Sequence, residues 1–378
     1  MSDRETPFAV HPDVRRAETP PGWVYSDSGW HREIVRGAFV GGWHHLEPGS
    51  VPRGEARPFL LAEGCLDEPL LRTCSQDGSA WIGSNVCTHR GARLCDQAGP
   101  VPELRCKYHG RAFALDGSLL RAPGFDGALD FPRPEDSLPS LPLETFGPLE
   151  FTSLSPAEPF ADWIAPVRNR FGWCPWDRLE LDPAGSKSFH VEANWALYVE
   201  NYLEGFHIPF VHPGLRSAIE GATYRTSLHG STVLQLADAK AGDPALEVPI
   251  GSEDAGSRLA GIYLWLFPGL MLNLYPFGLS LNRVVPESVD RTRIEYRRYV
   301  WAPEHLDAGA GGDLDQVELE DQSIVQEVQR GVRSRLYTRG RYAPKHETGT
   351  HHFHRLLDAS LRRAAKVDPG VIDQAPRT

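Results

Sequence analysis

Two ligand pairs, Cys87-Thr88-His89 and Cys106-Lys107-Tyr108-His109, stand sixteen residues apart. Nothing else in the chain restricts its fold as sharply, because four such groups meet at one centre only when two tight turns deliver them side by side. Each pair follows an apolar run, and glycines come just after it, Gly91 beyond Arg90 and Gly110 beyond His109. A glycine there lets the backbone approach the centre and offer N–H groups to its sulfurs. Two thiolates and two imidazoles suit a zinc ion. The asymmetry within each pair suits a [2Fe–2S] cluster, with both cysteines on one iron and both histidines on the other.

The surroundings agree with a small all-β domain. Residues 43–155 alternate short apolar runs with turns, and Asp77-Gly78 and Asp116-Gly117 are hairpin signals. Residues 1–42 read as an N-terminal arm with a helix over 29–39. Beyond 155 the texture changes: a helix over 160–168, a second from 194 to 207, six strands between 223 and 301, a long helix over 313–336 and a last one over 347–366. The class is α+β, a β domain followed by a domain over 156–366 in which helices pack on an antiparallel sheet. The tail 367–378 reads as disordered. The charge-free stretch from Leu259 to Asn282 has the length of a membrane span, but its prolines, glycines and asparagines favour a pair of buried strands. The opening residues contain no apolar signal core, so six cysteines in a reducing, cytoplasmic setting are expected to be ligands or free thiols. Cys65, Cys74, Cys95 and Cys174 read as small buried residues. A net charge of −11 without a basic run argues against nucleic acid.

A second constellation lies in Glu200–His212, ENYLEGFHIPFVH. Read as a helix, it puts Glu200, Glu204 and His207 on one face, with Pro209 interrupting before His212. Two imidazoles and a carboxylate among apolar and aromatic residues need partners, and a metal ion would serve all of them. A site of two histidines and one carboxylate needs a further acid. In the long helix, Leu314, Val317, Ile324, Val328 and Val332 form an apolar stripe on which Asp321 falls, so that carboxylate is expected to be paired or metal-bound. Glu320 and Asp315 lie off the stripe and read as solvated charges. The triplet His351-His352-Phe353-His354 reads as core and interface histidines.

The Cys87/His89/Cys106/His109 set, then Glu204-x-x-His207-x4-His212, then Glu320-Asp321 before VQRG resembles the large (alpha) subunit of the Rieske non-haem iron oxygenases over residues 25–360. Within that family, VQRG, GRYAP and HHFH are similar to the choline monooxygenase group. The resemblance implies a Rieske cluster on the first four residues and a mononuclear Fe(II) held by His207, His212 and Asp321. It implies a helix-grip (START/Bet v1-like) catalytic domain, a homotrimer, and Glu204 as the acid linking a Rieske histidine to the mononuclear site across a subunit boundary. Asn201 and Glu200 could support the site beside Glu204, and helix caps or surface polar groups fit them as well. Electrons would come from NAD(P)H only through a separate flavin/iron–sulfur reductase or a ferredoxin, since the chain has no flavin or nicotinamide fingerprint.

The activity expected is O2-dependent hydroxylation or oxidative N-demethylation of a small quaternary amine, such as choline or a betaine. The alternatives are a ring-hydroxylating dioxygenase or O-demethylase acting on an aromatic substrate, and a non-enzymatic Rieske electron carrier. Among Trp195, Tyr198, Tyr202, Phe206, Phe210, Trp265, Phe267, Tyr275 and Phe277, most read as simple core; some could form a cation–π cage, and the sequence does not choose its members.

Overall fold

The computed structural model describes residues 8–212, 224–306, 308–312 and 314–364. The expected tail at 367–378 lies outside them. The chain divides into two compact units, Trp43–Leu154 and a second made of Met1–Gly42 with Ser155–Thr378. The N-terminal segment therefore groups with the larger unit. Its helix α1 (Ser28–Phe39) is capped by Asp27, whose carboxylate accepts from the Trp30 N–H, and it packs on the last helix.

In the smaller unit, β1 (His44–His45), β10 (Leu149–Thr152) and β9 (Glu144–Phe146) form one antiparallel sheet. A second has the order β4 (Ala80–Ser84), β3 (Glu68–Cys74), β2 (Glu55–Leu61) and β5 (Gly99–Pro100), and a third the order β6 (Leu104–Arg105), β7 (Ala112–Phe113) and β8 (Leu119–Arg121). Both Asp-Gly pairs make hairpin turns. Gly78 and Gly117 take φ of 96° and 81°, a region that disfavours any side chain. Asp77 and Asp116 accept from the N–H of Ser79 and Ser118, each at 2.9 Å. Leu71, Leu104 and Phe113 pack with Cys87 and Cys106 in one core cluster, so the hairpins that carry the ligands are anchored by the domain's apolar interior.

The larger unit is built on an antiparallel sheet of order β11 (Glu180–Val191), β18 (Arg291–Val300), β17 (Gly278–Ser288), β16 (Leu270–Tyr275), β15 (Arg258–Leu266), β13 (Thr232–Asp238) and β12 (Arg225–His229), with β14 (Leu246–Glu247) beside β15. The charge-free stretch is β15, β16 and the start of β17, nearly all buried. Among the described residues no helix is long and apolar enough to cross a membrane. Helices α2 (Phe160–Trp163) and α3 (Ala165–Phe171) replace the single helix expected at 160–168, with Pro166 in the first turn of α3. Helix α4 (Trp195–Tyr202) is capped by Asn194 and packs on α6 (Leu314–Gly331), α7 (Thr348–Ala364) and β17; α5 (Ile208–Val211) is a short turn between them in sequence.

Two expectations are corrected, and one strand is additional to those expected. Strand β11 was not legible, because Pro183 and Gly185 interrupt it and its pairing with β18 slips between Asp182 and Lys187. Helix α4 stops at Tyr202 instead of reaching His207, and Pro209 lies in the first turn of α5, where a missing N–H costs nothing. Helix α6 turns a different face inward. Its buried residues are Glu318, Gln322, Val325 and Gln329, while Ile324 and Val328 are 36% and 42% exposed. A polar face is buried here because tyrosines and backbone groups of neighbouring elements satisfy it, which periodicity alone does not register.

Candidate metal centres and the adjoining cavity

In the smaller unit the four cluster candidates separate by type. Cys87 and Cys106 are 2% exposed and within hydrogen-bond reach of each other. The His89 and His109 rings lie 4.7 Å apart, centroid to centroid, with His89 half-buried and His109 exposed. That arrangement fits a binuclear centre with one sulfur-ligated and one nitrogen-ligated iron. Burial raises the Cys87 thiol. At Cys106 burial acts the same way, but N–H groups of Tyr108 and His109 aimed at its sulfur outweigh it and lower that thiol. Burial and the neighbouring His109 lower His89, which favours the neutral imidazole a metal requires. Behind the turns, the 2%-exposed Arg111 donates to Thr88 Oγ1 at 2.9 Å and stacks on Phe125 with its guanidinium 4.6 Å from the ring centroid. Of the other cysteines only Cys174 is fully buried; Cys65, Cys74 and Cys95 are half-buried, so their expected burial is corrected.

In the larger unit, His207, His212 and Asp321 each offer a ligand atom, and these atoms lie within 4.8 Å of one another. Both imidazoles turn Nε2 toward Asp321 Oδ1, at 3.5 Å from His207 and 3.0 Å from His212. Each Nδ1 faces a glutamate: Glu204 Oε1 at 2.6 Å for His207, and Glu320 Oε2 at 2.8 Å for His212. A carboxylate on Nδ1 fixes the tautomer that leaves Nε2 free for a metal. Glu320 is thus tied to His212 and is not the solvated charge its position off the stripe suggested. Asn201 Nδ2 donates to Asp321 Oδ1 at 2.6 Å, holding the carboxylate in place. Glu204 also accepts from the backbone N–H of Phe206 and, at 3.1 Å, of His207, so it organises the turn after α4.

The electrostatics are those of a cation site. Burial lowers His207, but hydrogen bonds to Asp321 and Glu204 override it and push the group up to about 9. At His212 the same contest, decided by Asp321 and Glu320, also ends above the ordinary value. Asp321 is raised by burial and lowered more strongly by the two histidines, down to about 2. Two imidazoles and one carboxylate on one side of an open cavity are a donor set suited to Fe(II) with coordination positions left free.

A cavity of about 120 Å³ adjoins these ligands. Six tyrosines line it, Tyr198, Tyr202, Tyr224, Tyr263, Tyr275 and Tyr296, together with Gln235, Asn273 and Glu318. Of the aromatic residues singled out from sequence, Tyr198, Tyr202 and Tyr275 reach the cavity. Trp195 and Trp265 are core, whereas Phe206 and Phe210 are 46% and 78% exposed. Glu318 and Tyr296 were missed; their burial with polar partners is a tertiary fact with no local signal. Burial pushes Glu318 up to about 7 against the lowering by Tyr296, Gln322 and Tyr198. The histidine triplet forms no metal site with other described residues: His354 pairs with Glu200 at 2.9 Å and Tyr342 at 2.6 Å, and His351 and His352 bond to backbone oxygens.

Comparison with known proteins places both units. Residues 50–142 match the Rieske [2Fe-2S] domain, and residues 179–363 match the ring hydroxylating alpha subunit (catalytic domain). The chain is 27% identical over 382 residues to the chloroplastic choline monooxygenase of Arabidopsis thaliana, covering 96% of this chain and 87% of that one. It is also 27% identical over 365 residues to the carnitine monooxygenase oxygenase subunit of Escherichia coli (strain K12), covering 93% and 95%. Among solved structures, the quaternary ammonium Rieske monooxygenase CntA with L-carnitine has a TM-score of 0.68 at 22% identity over 93% of this chain and 99% of that one. Naphthalene 1,2-dioxygenase from Rhodococcus sp. has 0.65 at 17%, over 93% and 95%; both likenesses speak for the fold. With a Rieske domain followed by a ring-hydroxylating catalytic domain, the chain belongs to the alpha subunits of the Rieske non-haem iron oxygenases, O2-using enzymes with a [2Fe–2S] cluster and a mononuclear iron.

Proposed function

We propose that this oxygenase hydroxylates or oxidatively N-demethylates a small quaternary amine. One observation carries the reading: the cavity beside the two histidines and Asp321 is small and walled by tyrosines. Its volume of about 120 Å³ is far below the roughly 300–1,000 Å³ of sites for drug-sized ligands, which favours a compact amine over a fused aromatic substrate. Tyrosine faces attract an onium group through the ring quadrupole. The similar proteins named for choline and carnitine support the same class.

In this reading Cys87, Cys106, His89 and His109 hold the cluster, and His207, His212 and Asp321 hold Fe(II). Bound there, the cluster supplies one-electron transfer and the iron supplies dioxygen activation. The protein's own part is positional. Glu204 and Glu320 keep the Nδ1 protons of both histidines, Asn201 orients Asp321, and the tyrosine wall excludes water while cradling the cation. Glu204 is the acid through which a neighbouring subunit's cluster would address the site. A homotrimer, and electrons drawn from NAD(P)H through a separate flavin/iron–sulfur reductase or ferredoxin, complete the proposal; inter-subunit electron transfer is described for CntA. None of the six cysteines is in a disulfide, and a reducing, cytoplasmic location is part of the proposal.

The test is a product screen of quaternary amines and aromatic compounds with a surrogate reductase. Oxidation of an amine is expected, and turnover of aromatics alone overturns the substrate class. His207→Ala should retain the cluster's visible spectrum and lose turnover; undiminished turnover overturns the iron assignment.

A further inference from the structure

The cavity contains a carboxyl group that the iron site does not use. Three carboxylates line it, Glu204, Glu318 and Asp321, and two of them are engaged with His207 and His212. Glu318 is the third. It is 5% exposed and stands one helical turn before Asp321, which places its backbone about 4.5 Å from that of the ligand along the axis. Its Oε2 accepts from Tyr198 Oη at 2.8 Å and from Tyr296 Oη, and its Oε1 accepts from Gln322 Nε2 at 2.8 Å. No lysine or arginine lines the cavity among the described residues. Buried charge without a counter-ion is costly, and among the described residues the hydrogen-bond partners of Glu318 are neutral, so its ionised form calls for a bound cation.

A second observation concerns Gln235, which lines the same cavity and is 1% exposed. Its Nε2 donates to the Tyr202 carbonyl at 2.7 Å, while its Oε1 has no hydrogen-bond partner among the described residues. A buried acceptor without a partner, on a residue that lines a cavity, is suited to a ligand's hydroxyl.

Resting on the quaternary-amine reading, we propose that Glu318 is the specificity-determining counter-charge of the substrate site. It selects a monocationic amine that carries a hydroxyl and no carboxylate, with Gln235 Oε1 accepting the hydroxyl proton. A zwitterion such as glycine betaine or carnitine would bring its carboxylate into a cavity that already holds Glu318 and whose described lining offers no lysine or arginine to meet it. Like charges in a low-dielectric site repel, so such substrates are disfavoured. The tyrosines alone do not discriminate in this way, because they attract the onium group of either class equally.

The test is calorimetric binding to the iron-loaded holoenzyme under anaerobic conditions. The probes are choline, glycine betaine, carnitine and 3,3-dimethylbutan-1-ol, the neutral carbon isostere of choline. Choline should bind about ten-fold or more tightly than the zwitterions and the isostere. Glu318→Gln should weaken choline by about ten-fold and leave the isostere within about two-fold, because the amide keeps an acceptor for the tyrosines and Gln322 can turn its own amide to suit. An unchanged cluster spectrum and circular dichroism would show the variant to be folded. Binding of glycine betaine or carnitine as tight as that of choline overturns the proposal, as does an equal loss for choline and its isostere in Glu318→Gln. Failure of the wild type to oxidise any amine would overturn the proposed function while leaving this comparison to decide the role of Glu318. Oxidation of carnitine and choline with equal affinity would keep the function and remove the counter-charge.

Discussion

At the scale of single residues, the iron candidates are arranged as two imidazoles whose outer nitrogens are each held by a glutamate. Glu204 lies three residues before His207, whereas Glu320 reaches His212 from another helix. Removing either acid frees the ring to rotate and to take the wrong tautomer. Glu320→Gln is therefore expected to weaken Fe(II) binding by about 10- to 100-fold, measured by iron titration of the apo-protein, with the cluster's absorption unchanged. Unaltered iron affinity would show that Glu320 merely neighbours the site. His31 offers a separate prediction. Burial pulls it down to about 4, with Arg32 adding to the effect, so between that value and the ordinary 6.5 the unfolded chain binds the extra proton. Stability is then fully present above pH 6.5 and declines as pH falls toward 4, by roughly 3 kcal/mol from this group. His31→Leu should flatten the acid side of the Tm-against-pH curve; an unchanged slope would contradict the assignment.

At the scale of elements, the turn between α4 and α5 matters most. Its break at Glu204–His207 lets one short segment present an acid and its histidine together, with the glutamate capping the backbone of both Phe206 and His207. Gly205 makes the turn possible, because a Cβ there would stand 2.7 Å from the Tyr224 ring. Gly205→Ala should displace Tyr224 or the turn and lower kcat/KM by about ten-fold or more, since misplacements of about 1 Å are that costly. The cluster's spectrum should be untouched, and full activity would mean that the ring yields freely. The long helix α6 was recognised with Asp321 as a candidate ligand, but its apolar stripe pointed to the wrong face. Glu318 is buried because tyrosines of α4 and β18 donate to it, Gln322 because it donates to Glu318, and Gln329 because backbone groups elsewhere satisfy it.

For the whole molecule, the two metal sites belong to different compact units, Trp43–Leu154 and the remainder. Their metal occupancy should therefore be separable. A ferrous chelator is expected to abolish turnover while the Rieske absorption persists, and added Fe(II) should restore activity; simultaneous loss of both would show the sites to be linked. The units also differ in how readily they were read. Short-range devices dominate the smaller one, with Asp-Gly turns and paired ligands within four residues of each other. The larger one depends on a long antiparallel sheet whose edge strand β11 lacks regular alternation.

What was legible in the chain by itself was whatever local chemistry encodes. The Cys87/His89 and Cys106/His109 turns, the His207/His212 segment, Asp321, the hairpins and six of the sheet's strands all carry signals in consecutive residues. The oxygenase class followed from those motifs together. The partners were decided only in three dimensions: Glu320 on His212, Asn201 on Asp321, and Glu318 beneath Tyr198 and Tyr296. Each of these pairs joins residues more than twenty positions apart, or sets a carboxylate on a helix face that periodicity assigns to solvent. A side chain's charge is written in the sequence, but the group that compensates it is chosen by packing.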